Sequence, residues 1–336
     1  MIISVIIPSY RRPNDLNRCL NALKQQIRPV DEVIVVVRDT DAPTWRWLES
    51  FDTGLLNLRS VTVSVPGVIA AMNAGLDNAT GDIIAFTDDD AAPHTDWLAR
   101  IEAHYLADPS VGGVGGRDWV YHGTRLEGGS AQTVGQVQWF GRVIGNHHIG
   151  VGGDREVDVL KGVNMSFRKS AINALATSAG STSLHFDDRL KGTGAQVHFE
   201  IAFSLAVKRR GWKLIYDPAV AVDHYPAHRF DEDQRAHFNA LAWSNQAHNE
   251  VVVVLDHLSV LQRLVYWLWM TLVGTRDNRG IVQLVRFLPQ EKQLAVQKWL
   301  ASHRGRSQGW QTWRHKTPRP HVTTKFGEDE QSCSTD

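Results

Sequence analysis

Four short apolar runs, at residues 2–7, 33–37, 61–65 and 83–86, alternate with stretches of helical spacing, and this alternation constrains the fold more than any other feature. Runs so short and so rich in valine and isoleucine suit strands buried on both faces. After the first run, Pro13-Asn14-Asp15 opens a stretch in which Leu16, Cys19, Leu20 and Leu23 recur at i, i+3, i+4 and i+7, one face of a helix. A further helix is expected over 68–77. Strand and helix repeating in this order imply right-handed crossovers and a parallel sheet covered by helices. The N-terminal MIISVIIPSY lacks a basic leading segment, and its apolar run is too short for a secretory signal. It reads as the first strand.

The middle third is less regular. Glycine-rich stretches at 112–116, 123–129 and 150–153 suggest turns and mobile loops. Strands are expected near 157–160, 165–167 and 213–216, with a helix over 199–210 stopped by Gly211. From 231 the pattern is helical, through Phe238, Leu241, Ala242 and Asn245. Residues 251–274 are apolar but broken by Asp256, His257, Gln262 and Arg263, so they fall short of the roughly 20 apolar residues of a membrane span. Within them, 258–273 suits either packing on the protein or peripheral membrane contact, because Tyr266, Trp267 and Trp269 stand among leucines and near basic residues. From 301 to 325 six basic residues and no acidic one form a tail expected to be poorly ordered.

Composition narrows the function classes. Apolar residues make up 43% and charged residues 21%, the profile of a folded chain. Lys+Arg and Asp+Glu are equal at 36 each, which leaves no overall electrostatic footprint for nucleic acid. Cys19 and Cys333 cannot build a disulfide framework, and a reducing cytoplasmic setting is the simpler expectation.

Three of the apolar runs end in polar clusters. The fourth leads into Asp88-Asp89-Asp90, at the edge where open α/β sheets take ligands. Crowded carboxylates there suit a divalent cation bridging a diphosphate, since Mg²⁺ and Mn²⁺ prefer oxygen ligands; they also suit a solvated turn that caps the helix at Trp97. The first run ends in Pro8-Ser9-Tyr10-Arg11-Arg12, where Tyr10 has a ring to stack on a base and either arginine a charge for phosphate. The second ends in Arg38-Asp39-Thr40-Asp41, with carboxylates to accept from a base or ribose.

The segments VIIPSYRRPNDLNRCLNALKQQ, DEVIVVV, AAMNAGLDNATGDIIAFTDDDAAPHTDWL, GVNMSFRK and HFEIAFSLAVKRRGWKLIYDPAVAVDHY, in this order over residues 2–225, resemble an inverting family-2 glycosyltransferase of the GT-A fold. The resemblance implies a mixed, mostly parallel sheet flanked by helices. The expected organisation is a catalytic domain over 1–225, a helical extension over 226–300 and the tail from 301. It implies that Asp88 and Asp90 are the DxD carboxylates and that His224 joins them on Mg²⁺ or Mn²⁺. Pro8, Tyr10, Arg11, Asp39, Asn73, Asp88 and Asp89 would border the donor; Asn164, Asp187 and Asp188 would lie toward the acceptor.

The base in that family is usually the second acid of a Glu-Asp pair opening the helix before Gly211. Here the pair reads Phe199-Glu200, which departs from the pattern and leaves Glu200 as the candidate base. Arg38 is a second departure, where an Asp is common. The expected reaction is transfer of a sugar from a nucleoside diphosphate-sugar to a hydroxyl of a glycan or lipid-linked saccharide, in surface polysaccharide or glycoconjugate synthesis. The expected setting is cytoplasmic, with peripheral contact at the inner membrane face. A nucleotidyltransferase, or a non-catalytic sugar-binding or scaffold protein of the same fold, is the competing reading.

Overall fold

The computed structural model describes residues 1–173, 183–234 and 237–315, and Cys333 lies outside them. The first half alternates as the apolar runs require: β1 (Ile3–Ser9), α1 (Pro13–Lys24), β2 (Glu32–Arg38), α2 (Ala42–Ser50), β3 (Leu58–Val63), α3 (Val68–Asn78), β4 (Ile83–Thr87), the short β5 (Ala91–Pro93) and α4 (Trp97–Ala107). β6 (Val111–His122) is long, and three two-residue strands follow: β7 (Arg125–Leu126), β8 (Gln136–Val137) and β9 (Val143–Ile144). β10 (Arg155–Val157), β11 (Asn164–Arg168) and a single turn, α5 (Lys169–Ile172), lead to α6 (Phe199–Arg209) and β12 (Lys213–His224). Four helices close the described chain: α7 (Ala240–His257), α8 (Val260–Leu272), α9 (Ile281–Glu291) and α10 (Gln293–Arg314).

The main sheet runs β10-β12-β6-β11-β4-β1-β2-β3. β4, β1, β2 and β3 are mutually parallel, and β11 is inserted antiparallel between β4 and β6. This is the mixed, mostly parallel sheet that the family resemblance implied; the alternation alone implied a parallel one. Both faces are covered, because side chains alternate along each strand. Ile6, Ile34, Val36, Ile84 and Phe86 point to one side, against Met72 of α3 and Phe203 of α6. Val5, Ile7, Val35, Val37 and Ala85 point to the other, against Leu20 of α1 and Trp97 of α4. β3 is a half-exposed edge strand rather than a buried one.

Two expectations are corrected. The glycines at 112–116 are not a mobile loop but the core of β6. A Cβ on Gly116 would meet the Val220 carbonyl oxygen at 1.8 Å, and one on Gly113 would meet Leu214 and Phe167. Only glycine lets β12 and β11 approach so closely. The chain beyond 301 is likewise not a loose tail at its start, since α10 continues to Arg314. Gly305 and Gly309 sit where a Cβ would strike the Ser244 and His248 carbonyl oxygens of α7. The residues that look like helix breakers are the ones that let α10 lie on α7.

Candidate functional site

Parallel strands deliver their C-terminal residues to one edge, and there β1, β2 and β4 open into a cavity of about 600 Å³. Pro8, Ser9 and Tyr10 line it from β1 and its exit, Arg38 from β2, and Asp88-Asp89-Asp90 from the turn after β4. The opposite wall holds Lys161, Phe199 and Glu200, and His224 closes the floor from the end of β12.

The acidic turn is not solvated. Asp89 and Asp90 are buried, and each carboxylate is held from a different direction. Asp89 accepts from the Ser9 hydroxyl at 2.8 Å and pairs with Arg12 at 3.0 Å. Asp90 accepts from the backbone N–H of Ala227 at 2.9 Å, which ties the turn to the segment after β12. Burial pushes the Asp89 carboxyl up, with Arg12 pulling against it. Burial works on Asp90 in the same sense, but His224 overrides it and holds this carboxyl below the usual range. Burial would strip His224 of its proton; the carboxylates of Asp118 and Asp90 beside its two ring nitrogens instead raise its pKa to about 9.

The donor set fits a divalent cation. One ligand atom each from Asp88, Asp90 and His224 lies within 4.8 Å of the other two. Asp90 Oδ1 and His224 Nε2 face each other at 3.4 Å. Both are buried, and neither has a hydrogen bond. Neighbouring ligands on an octahedral ion of this size sit roughly 3 Å apart, so a small side-chain adjustment seats one. A cation would displace the proton that His224 otherwise carries. Behind it, His224 Nδ1 lies 3.6 Å from Asp118 Oδ2, a carboxylate with no exposed surface that also pairs with Lys161. A carboxylate behind a histidine fixes which ring nitrogen faces the ion.

Glu200 stands in the first turn of α6, where the helix dipole favours a negative charge. Its Oε2 is enclosed and has no hydrogen-bond partner among the described residues. Burial raises its pKa against the pull of His198 and Lys161. A carboxylate so placed has a raised affinity for a proton, which suits general-base work.

Other expected site residues lie elsewhere. Arg11 is not in the cavity lining, its guanidinium lying over the rings of Tyr10 and Phe230 and its backbone N–H donating to Asp41; Arg12 takes its place at the acids. Asp39 is exposed beside Arg38, just outside the lining. Asn73 makes two hydrogen bonds to the backbone of Phe186 and so clamps a loop rather than facing a ligand. Asn164 is buried and spends its amide on Trp97 and on the carbonyls of Arg117 and Val220. Asp187 is paired with Arg189, which also holds Asp256, and neither Asp187 nor the exposed Asp188 lines the cavity. Sequence reading missed Ser9, Asp118 and Lys161. Only Ser9, in the strand-end cluster, carried a signal that could have found it.

A second cavity of about 340 Å³ adjoins the first, the two sharing Ala195, Val197 and Asp231 in their walls. Its far side is built by α7 and α10, through Trp243, Gln246 and Lys298.

An α/β sheet with a buried acidic cluster at its carboxyl edge places the chain among the open-sheet proteins that take ligands there. Residues 4–175 match the model of glycosyl transferase family 2, about half of the chain, and the chain belongs to that family. It is 37% identical over 101 residues to glycosyltransferase AglE of Haloferax volcanii, a stretch of 29% of this chain and 33% of that protein. It is 33% identical over 96 residues to the amylovoran biosynthesis glycosyltransferase AmsE of Erwinia amylovora, 26% of this chain and 35% of that one. The likeness thus spans about a third of the length of each of these relatives. A crystal structure of S. aureus TarS 1–349 in complex with UDP-GlcNAc is similar in fold, with a TM-score of 0.57 at 16% identity over 94% of this chain and 90% of that chain. So is GalNAc-T7 with UDP, GalNAc and Mn²⁺, with a TM-score of 0.57 at 14% identity over 76% of this chain and 48% of that chain. The fold is the GT-A arrangement.

Proposed function

We propose that this chain is an inverting, metal-dependent glycosyltransferase that moves a sugar from a nucleoside diphosphate-sugar to a hydroxyl of a glycan or lipid-linked saccharide. One observation carries the reading: a single cavity holds the cation-shaped set Asp88, Asp90 and His224 on one side and the enclosed carboxylate of Glu200 on the other. A bound Mg²⁺ or Mn²⁺ would neutralise the diphosphate and stabilise its charge as it departs.

The protein's own groups do the rest. Tyr10 and Arg38 flank the nucleoside, with Asp39 at the rim. Pro8 shapes the floor beneath it. Arg12 offsets the charge that Asp89 adds to the cluster. Glu200 takes the acceptor proton as the hydroxyl attacks the face opposite the leaving diphosphate. We place the non-reacting part of the acceptor in the second cavity, beside Trp243 and Gln246. The unit over 1–225 carries the chemistry, the extension over 226–300 completes the acceptor side, and the work belongs to surface polysaccharide or glycoconjugate synthesis. The setting we propose is cytoplasmic, at the inner face of a membrane.

A panel of nucleotide sugars assayed with Mn²⁺ or Mg²⁺ for nucleoside diphosphate release tests this. Metal-dependent release that rises with a saccharide acceptor is the expected result. Pyrophosphate formed from a nucleoside triphosphate and a sugar phosphate would make the chain a nucleotidyltransferase. Donor binding without turnover on every acceptor tried would make it a scaffold.

A further inference from the structure

Among the described residues, nothing covers an apolar face of α8 and α9. At 100° per residue, Leu261, Leu264, Leu268 and Leu272 form one stripe along α8, with Tyr266 and Met270 opposite. The two faces have different fates. Tyr266 and Met270 are buried. Trp267 meets Trp310 at 5.4 Å and Trp269 meets Phe140 at 5.2 Å, so the aromatic side of α8 packs on the protein. Each of the four leucines, by contrast, is more than half exposed. α9 repeats the pattern: Ile281, Val282, Val285 and Leu288 share one side and are all exposed, and no residue of this helix is buried. The turn between the helices is pinned by a backbone bridge between Gly274 and Arg279. None of the described helices is long and apolar enough to cross a membrane.

Charge selects the occupant. Over residues 260–304, which hold both stripes and the start of α10, Arg276, Arg286, Lys292 and Arg304 are exposed, against Asp277 alone among the exposed acids. The sequence adds Arg314, Lys316, Arg319 and Lys325 before the next acidic residue, Glu328. An apolar stripe with a basic surround lies flat at a lipid surface, apolar side among the acyl chains and cations at anionic headgroups.

We infer that α8 and α9 together form a monotopic docking face for an anionic lipid bilayer. This deepens the membrane-face setting proposed above and rests on it, but not on the sugar-transfer chemistry. It also moves the contact. The leucines of α8 and the whole outer side of α9 meet lipid, and the tryptophans of α8 do not.

The test is co-sedimentation of the full chain with vesicles of phosphatidylcholine alone or mixed with phosphatidylglycerol, at low and high salt. Binding is expected only with phosphatidylglycerol and should weaken as salt screens the basic surround. Leu264→Asp combined with Val285→Asp should lower vesicle binding about tenfold or more, with an unchanged melting temperature because both side chains are exposed. Equal binding to both vesicle types, no binding to either, or undiminished binding by the double variant would overturn the inference. So would a concentration-dependent dimer abolished by the same substitutions, which would make the face a homotypic interface. Loss of sugar transfer with vesicle binding intact would count against the reaction alone.

Discussion

Asp118 is buried to zero exposure between Lys161 and His224, and no strand-end motif marked it. It faces the imidazole nitrogen that points away from Asp90, which places it to orient His224 toward the proposed cation. Asp118→Asn should weaken Mn²⁺ binding by about ten- to a hundredfold, read by calorimetric titration with nucleotide present. Unchanged affinity would reduce Asp118 to a partner of Lys161. Glu200→Gln should lower turnover by about 10² to 10⁴ while nucleotide binding, read by the same titration, is retained. Because burial raises the Glu200 pKa, the ionised base appears only at a pH above the ordinary glutamate range, and the rate should fall as pH drops through that raised value. An acid limb at the ordinary glutamate value would remove Glu200 as the base. Periodicity placed the acidic turn at the ligand edge, whereas the pairing of Asp88 and Asp90 with His224 came from the family resemblance; the structure brings the three together. Arg12 was half legible, as one of two adjacent arginines. Asp118 and Lys161 were not, because Asp118 meets Lys161 through the pairing of β6 with β11 and His224 through the pairing of β6 with β12, not by spacing.

At the scale of elements, the apolar runs gave β1, β2 and β4 almost to the residue, since a strand buried on both faces has no other pattern. β6 was misread because glycine is ambiguous. The same residue that frees a loop also lets two backbones touch, and only the fold tells which. Gly116 separates the two meanings. A methyl added there would meet the Val220 and Asp217 carbonyl oxygens, both on β12, and would have to displace that strand's backbone. Gly116→Ala should therefore destabilise by about 3 kcal/mol, the upper range of overpacking, measured by urea unfolding. A loss under about 0.5 kcal/mol, as expected of an ordinary surface substitution, would return 112–116 to the status of a loose connection.

Across the whole molecule, the expected boundary near residue 225 divides the motifs but cuts through the packing. α7 lies beyond it, yet Val252 and Val253 belong to the same core as Ile6, Phe86 and Phe203. On its neighbouring face, Val251, Val254 and Leu255 pack against Tyr266 and Met270. Asn249 bonds the backbone of Lys191 and Val197, and Asp256 holds Arg189, so α7 also fixes the loop leading to Glu200. Burial of apolar surface is what makes unfolding cooperative, and one helix is here an integral part of two cores. Calorimetric unfolding of the full chain should then show a single transition, with equal van't Hoff and calorimetric enthalpies. Two separated transitions would mean that the extension folds as its own unit and that α7 merely rests on the sheet. In the single-transition case Val252→Ala, about 1–3 kcal/mol destabilising as a buried large-to-small change, should lower the melting temperature of the sheet and of α8 to α10 together.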